Sequence, residues 1–205
     1  MQIRHPPGRS GRVWLRVRRD VADGAIALLE QKERVLLREQ QRLRVLVRRS
    51  RGAWDEACRD AQMWSARAAS LGGSDVFVFA APADVATADL HWRNSMGAYY
   101  PYEASCGLPK NAFPGTRSGT AATSEAVRAT RDATVRAVEF AAAQRAADEV
   151  ERELVATRRR LRMLRNRWIP AIDDAIRELE VSLEERERDD VARAHWANGS
   201  RGGPS

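Results

Sequence analysis

TRRRLRMLRNRWIPAIDDAIRELEVSLEERERDD, residues 157–190, decides the fold of this chain. Its apolar residues form a helical seam, Pro170 interrupts that seam, and arginines crowd the remaining faces. Traced backward from here, Phe140, Ala143, Ala147, Val150, Leu154, Thr157, Leu161, Leu164 and Trp168 stand alternately three and four residues apart, the stripe of a coiled coil. After Trp168 the stripe slips by one residue, and Ile169, Ile172, Ile176, Leu179 and Leu183 carry it onward. Ala126, Ala129 and Ala133 extend it upstream in small residues. One helix is therefore expected over residues 123–197, about 110 Å long at about 1.5 Å per residue.

A second helix opens the chain. Leu36, Gln40, Leu43, Val47, Ser50, Trp54, Ala57, Ala61, Trp64, Ala68 and Leu71 step by four and three, and Trp14, Val21, Ala25, Leu28 and Val35 form an earlier stretch shifted by one residue. This helix is expected over residues 10–71, after Pro6, Pro7 and Gly8 and up to Gly72 and Gly73. Because the connector returns the chain, the two helices should pair antiparallel, with facing residues whose numbers sum to about 200. That register sets Arg12, Arg16, Arg18 and Arg19 against residues 178–187, and Arg48, Arg49 and Arg51 against Glu149, Glu151 and Glu153. Exposed ion pairs are weak, so they select register more than they stabilise.

Residues 72–122 differ in composition and are read as a small lobe. Two runs rich in β-formers, 89–94 and 99–106, flank Ser95, Met96 and Gly97, which predicts a β-hairpin with its turn at Met96 and Gly97, standing at the far end of the coiled coil. Val76 to Ala80 is a further strand or a short buried helix. The stretch after Leu108 reads as a flexible loop, with Thr123 as N-cap of the second helix. The expected division is a 1–9 extension, helix 10–71, lobe 72–122, helix 123–197 and a disordered tail 198–205.

Composition agrees with a mainly α fold built on a thin seam: of 205 residues, 31% are charged and 6% aromatic. No run of about 18 apolar residues could span a membrane, and the opening MQIRHPPGRSGRV has no apolar h-region, so a cytoplasmic location is expected. Cys58 and Cys106 have no ligand-spaced neighbours and read as free thiols. The net charge of +7 is carried by arginine, only Lys32 and Lys110 being lysine. In the 200-sum register Arg34, Arg38, Arg42 and Arg44 lie beside Arg158, Arg159, Arg160, Arg162, Arg165 and Arg167, a like-charged belt that asks for an acidic partner surface or for screening by salt. Nucleic acid fits poorly, since no zipper forks into a basic region and no aromatic platform is interleaved with the arginines. Catalysis has less support still: His5, His91 and His195 are isolated, the adjacent carboxylates Asp173 with Asp174 and Glu184 with Glu185 read as solvated faces, and no glycine loop cradles a phosphate. No cofactor or metal is expected.

Motifs spread over most of the length resemble those of the D subunit, the central-stalk rotor component of V-type and A-type rotary ATPases and ATP synthases. They are Pro7, Gly8 and Arg9, then Leu28, Leu29 and Lys32; Met96, Gly97 and Pro101 in the lobe; and Thr157, Arg158, Arg159, Ile169, Pro170, Leu183, Glu184, Arg186, Glu187 and Arg188 at the end. The chain departs from that pattern at Ala25, at Arg162 and Arg165, and at Ala192. The resemblance implies a non-catalytic shaft standing inside a ring of A and B subunits, with the F subunit on the side of the coiled coil and a socket subunit linking the lobe end to the membrane rotor. Under it, the seam residues Leu36, Leu43, Val47, Trp54, Trp64, Val150, Leu154, Leu161, Leu164, Trp168, Ile172, Ile176 and Leu179 supply stiffness. Pro170 is either a fixed bend or a kink relieved by the partner helix, Arg34, Arg38, Arg42, Arg158, Arg159, Arg162 and Arg165 face a partner, and Trp196 ends a pivot or a frayed helix. A general coiled-coil adaptor, which would self-associate, is the alternative; the gamma rotor of F-type synthases would need a larger middle domain than about fifty residues.

Overall fold

The computed structural model describes residues 3–73, 75, 77, 84–109 and 120–199. Helix α1 spans Gly8–Gly72, strands β1 (Thr87–Ser95) and β2 (Ala98–Gly107) form an antiparallel hairpin, and helix α2 (Ala121–Met163) passes through a π turn (Leu164–Trp168) into helix α3 (Ile169–Gly199). The fold is mainly α, two long helical stretches with a two-stranded hairpin between them. The segment from Val76 to Ala80, apart from Phe77, most of the loop after Leu108 and the tail from residue 200 lie outside the described residues.

Local chemistry sets the ends. Gly8 takes φ +76° and Gly73 φ +75°, left-handed values that glycine adopts without the strain of a β-carbon. At the far end of α1 the Gly73 N–H donates to the Ala69 carbonyl at 2.8 Å, closing the last turn. Thr120, not Thr123, caps α2: its hydroxyl accepts from the Thr123 N–H at 3.2 Å, so the helix starts two residues earlier than the sequence suggests.

The helices build two compact units, one from the chain up to Glu33 with the chain from Ala156 onward, the other from Arg34–Val155. In the first unit Leu15, Ile172, Ala175 and Leu179 are buried together, with Ile3, Trp14, Trp168, Ile176 and Leu183 around them. Ile3 reaches this cluster because the chain reverses at Gly8 and lays Pro6 over α1. A β-carbon at Gly11 would collide with the Pro6 carbonyl oxygen, so glycine is required there. The pairing is antiparallel: Arg9 meets Glu187 at 2.9 Å and Arg16 meets Glu180 at 3.0 Å, each pair of numbers adding to 196.

In the second unit Leu36, Leu43, Ala146, Val150 and Leu154 form one cluster and Ala68, Ala122 and Ala126 another, with Trp64 against the latter. Trp54 stacks on Phe140 with ring centroids 5.3 Å apart. Gln40 and Arg44 both reach Glu151. These partners, like those of the first unit, have numbers adding to between 191 and 196 rather than 200. The difference from expectation is about one heptad, a displacement that leaves every apolar position facing an apolar position.

The hairpin does not stand at the end of the helices. Ala98 and Tyr100, 3% and 1% exposed, are part of the cluster around Leu43 and Val150, so β2 lies along the helix pair from its turn onward. Ala98 and Tyr100 face inward while Tyr99 faces out, the alternation of a half-buried strand. Pro101, which has no N–H for the ladder, is accommodated by a bulge: His91 faces Glu103 and Trp92 faces Pro101, leaving Tyr102 as the extra residue. The turn places Met96 at φ 52° and Gly97 at φ 87°, both left-handed, as a two-residue hairpin loop requires.

Candidate functional site

The seam, the π turn, the foot of the hairpin and the arginine faces are the features with functional content. Leu36, Leu43, Val150, Leu154, Leu161, Ile172 and Leu179 are buried, and Val47, Trp54, Trp64, Leu164, Trp168 and Ile176 are partly buried. The upstream stretch needs correction. Val21 and Leu28 are exposed, and the buried residues are Leu15 and Ala22, with Leu29 half-buried. Steps of seven from Leu15 through Ala22, Leu29, Leu36 and Leu43 give α1 one face without a shift; the spacing carries that signal, but Trp14 and Leu28 draw the reading one position aside.

The slip after Trp168 is real and has a physical form. Over Leu164–Trp168 the helix widens to a π turn, the Ile169 N–H bonding to the Leu164 carbonyl five residues back. Such a turn inserts one residue without rotating the helix that follows. Trp168 and Ile169 are accordingly both half-buried, and Ile172 then enters the core. Pro170 follows directly, exposed, in the first turn of α3. Its ring would press on the Asn166 carbonyl in a regular α-helix, and Asn166 sits inside the widened turn. A groove lined by Asn166, Arg167, Pro170, Ala171, Asp174 and Glu178, among others, runs beside this point under Ile3 and His5.

At the foot of the hairpin Tyr100, Glu39 and Arg42 form a polar clamp that sequence reasoning misses. The Tyr100 hydroxyl donates to Glu39 Oε1 at 2.6 Å, and the Arg42 guanidinium forks onto the same carboxylate at 2.6 to 3.1 Å. Arg42, then Tyr100, hold the Glu39 carboxyl below its usual range against the opposing effect of burial. Burial, then the Glu39 carboxylate, push the Tyr100 phenol above its ordinary value. No local motif announces such a contact, because its partners are 61 residues apart.

Four arginines of the belt meet carboxylates. Arg42 pairs with Glu39, Arg44 with Glu151 at 3.4 Å, Arg158 with Glu33 at 2.7 Å and Arg165 with Glu30. The displacement accounts for the pairs between helices: it sets Glu33 beside Arg158, where the 200-sum register puts Arg42, and Glu30 beside Arg165, where that register puts Val35. Arg38 donates to the Arg34 carbonyl at 3.4 Å, while the side chains of Arg34, Arg159 and Arg162 have no carboxylate partner among the described residues. In the first unit Arg19 bonds Asp173 at 2.7 Å, and its pKa is raised by that hydrogen bond and by the charges of Asp173 and Asp23. Cys58 and Cys106 are free. Among the described residues no cluster of three metal-ligating side chains occurs and no helix is long and apolar enough to cross a membrane.

A model of the ATP synthase D-subunit family matches residues 14–199, a span that takes in nearly all of both helical stretches and the whole hairpin. The chain belongs to that family. The V-type ATP synthase D subunit of Anaeromyxobacter sp. (strain Fw109-5) is 30% identical over 195 residues, covering 93% of this chain and 91% of the relative. As a member of the D-subunit family the chain is a component of a V/A-type ATPase or ATP synthase. The seam, π turn and hairpin clamp all fall inside the matched span.

Proposed function

We propose that this D subunit is the central rotor shaft of its complex, transmitting torque between a catalytic ring of A and B subunits and the membrane rotor. The observation that carries the reading is the antiparallel apolar seam, which packs α1 against the carboxy-terminal helices in each unit. A helix joined along its length to a second resists twisting and bending better than either alone, and torque transmission asks for that property. In this reading the chain supplies stiffness and contact surfaces and contributes no catalytic group. The F subunit lies against the side of the coiled coil, a socket subunit links the lobe end to the membrane rotor, and the whole assembles on the cytoplasmic face of the membrane. Arg34, Arg159 and Arg162 then meet acidic surfaces of those partners. Co-expression of this chain with the A, B and F subunits of its own organism tests the reading. Stoichiometric co-purification, and ATP-driven rotation of a bead fixed to this chain, are expected. A chain that self-associates and leaves those subunits behind would instead be a general adaptor.

A further inference from the structure

The groove beside the π turn has the amino-terminal segment for one wall. A β-carbon on Gly11 would meet both the Pro6 carbonyl oxygen and Leu179 Cδ2, which sets Pro6 level with Leu179. From there residues 3–7 run back along α3, with Ile3 and His5 on one side of the groove and Pro170, Ala171, Asp174 and Glu178 on the other. The groove holds about 810 Å³ of free space, so this strap bridges α3 instead of lying packed along it.

One apolar contact holds the strap. Ile3 packs against the cluster of Leu15, Ile172, Ala175 and Leu179, whereas among the described residues no ion pair or hydrogen bond joins residues 3–7 to α3. Pro6 and Pro7 restrict the free strap and so lower the entropy lost when it docks. A short segment anchored by one half-buried isoleucine stands near balance between docked and free.

His5 carries a second grip. Its Nδ1 lies 2.9 Å from the Pro6 carbonyl oxygen; a carbonyl only accepts, so Nδ1 holds the proton and Nε2 is left to take another. A proton there creates an N–H that needs an acceptor, and Asp174 and Glu178, four residues apart on one face of α3, present carboxylates to the same groove. The competing cations are Arg4 on the strap, Arg177, which pairs with Asp174, and Arg167, seven residues or about 10 Å along the helix from Asp174. Glu178 has no ion pair among the described residues, and no charged residue of α1 lines the groove.

We propose that residues 3–7 are a pH-sensitive latch on the first unit: a proton on His5 draws it onto Glu178 and Asp174 and closes the strap over the groove beside the π turn. The protonated ring gains these partners only when the strap is closed. Closure therefore strengthens as pH falls through the range of about 5–8 in which histidine changes charge, and weakens as pH rises. The inference stands on the first unit alone and not on the rotor reading.

Millisecond amide exchange of residues 3–5 in the full-length chain, corrected for the intrinsic effect of pH, tests it. Exchange is expected to be about threefold slower or more at about pH 5.5 than at about pH 7.5. His5→Gln, and separately Asp174→Asn with Glu178→Gln, should abolish that difference with helix content unchanged, and Ile3→Ser should speed exchange at both pH values. Exchange that ignores pH in the parent, a difference that survives His5→Gln or the paired carboxylate changes, or an equal slowing over residues 36–43 of the other unit overturns the latch. Exchange that Ile3→Ser leaves unaltered overturns it as well.

Discussion

Removing one residue from a coiled-coil helix is ordinarily ruinous, and here there is one place where it should be harmless. The π turn at Leu164–Trp168 holds one residue more than an α-helix would. Deleting Asn166 and changing Pro170→Ala together removes the surplus and the ring that discourages a regular turn. Ile169 then stands four residues after Leu164, and Ile172, Ile176, Leu179 and Leu183 follow at three, four, three and four, in step with Leu161. The comparison is deletion of Arg177, whose side chain is 74% exposed and makes one exposed ion pair. That deletion rotates all later residues by about 100°. It withdraws Leu179 from the core, at about 1.5–3 kcal/mol, and half-buried Leu183, at about 1 kcal/mol. A total of about 2.5–4 kcal/mol corresponds to a fall in Tm of about 5–16 °C for a chain of this length. Thermal unfolding followed by circular dichroism at 222 nm should therefore show the Arg177 deletion melting well below the parent, and the Asn166 deletion with Pro170→Ala within about 3 °C of it or above. If the two deletions melt alike, the assignment of the seam slip to the π turn is wrong.

Three further changes probe the other features. Tyr100→Phe removes a hydrogen bond to a carboxylate and should destabilise by about 1–2 kcal/mol, less than the upper range for charged partners because Arg42 still holds Glu39; urea unfolding measures it. The folded pKa of Glu39 lies below its unfolded value, so its contribution is present above the ordinary carboxylate range near about 4.3 and is lost as pH falls through the lower folded value. The stability gap between the parent and Glu39→Gln should thus shrink on acidification from about pH 6 to pH 3, and a constant gap would contradict the clamp. Gly11→Ala and Gly24→Ala should act in opposite directions. The first pushes Pro6 away from α1, draws Ile3 off the core and speeds amide exchange around Ile3; the second raises the stability of the free chain by up to about 1 kcal/mol.

The helices and their seam were legible because a heptad repeat is a local signal that survives without knowledge of the partner. The slip at Trp168 was legible for the same reason, since a surplus residue must appear in the spacing before it appears in space. The register was not. A seam that repeats every seven residues looks the same after displacement by seven, and contacts outside the seam, such as Arg165 with Glu30, break the tie. Ambiguity also arose where two apolar edges run side by side, as Leu15 and Trp14 do: periodicity finds both and burial chooses one. The hairpin was visible from its turn residues, but its docking beside Leu43 and Val150 was not, because contacts between segments distant in sequence leave no pattern in either.

Tyr100 gains a meaning from that degeneracy. Two helices whose stripes match at successive alignments resemble a ruler against its own copy, free to read one notch over. The hairpin touches Glu39 on one helix and packs between Leu43 and Val150 of the two, so it works as a dowel that admits a single notch. Without it the apolar stripe would still hold the helices together, but nothing in the stripe would fix how far one had slid along the other.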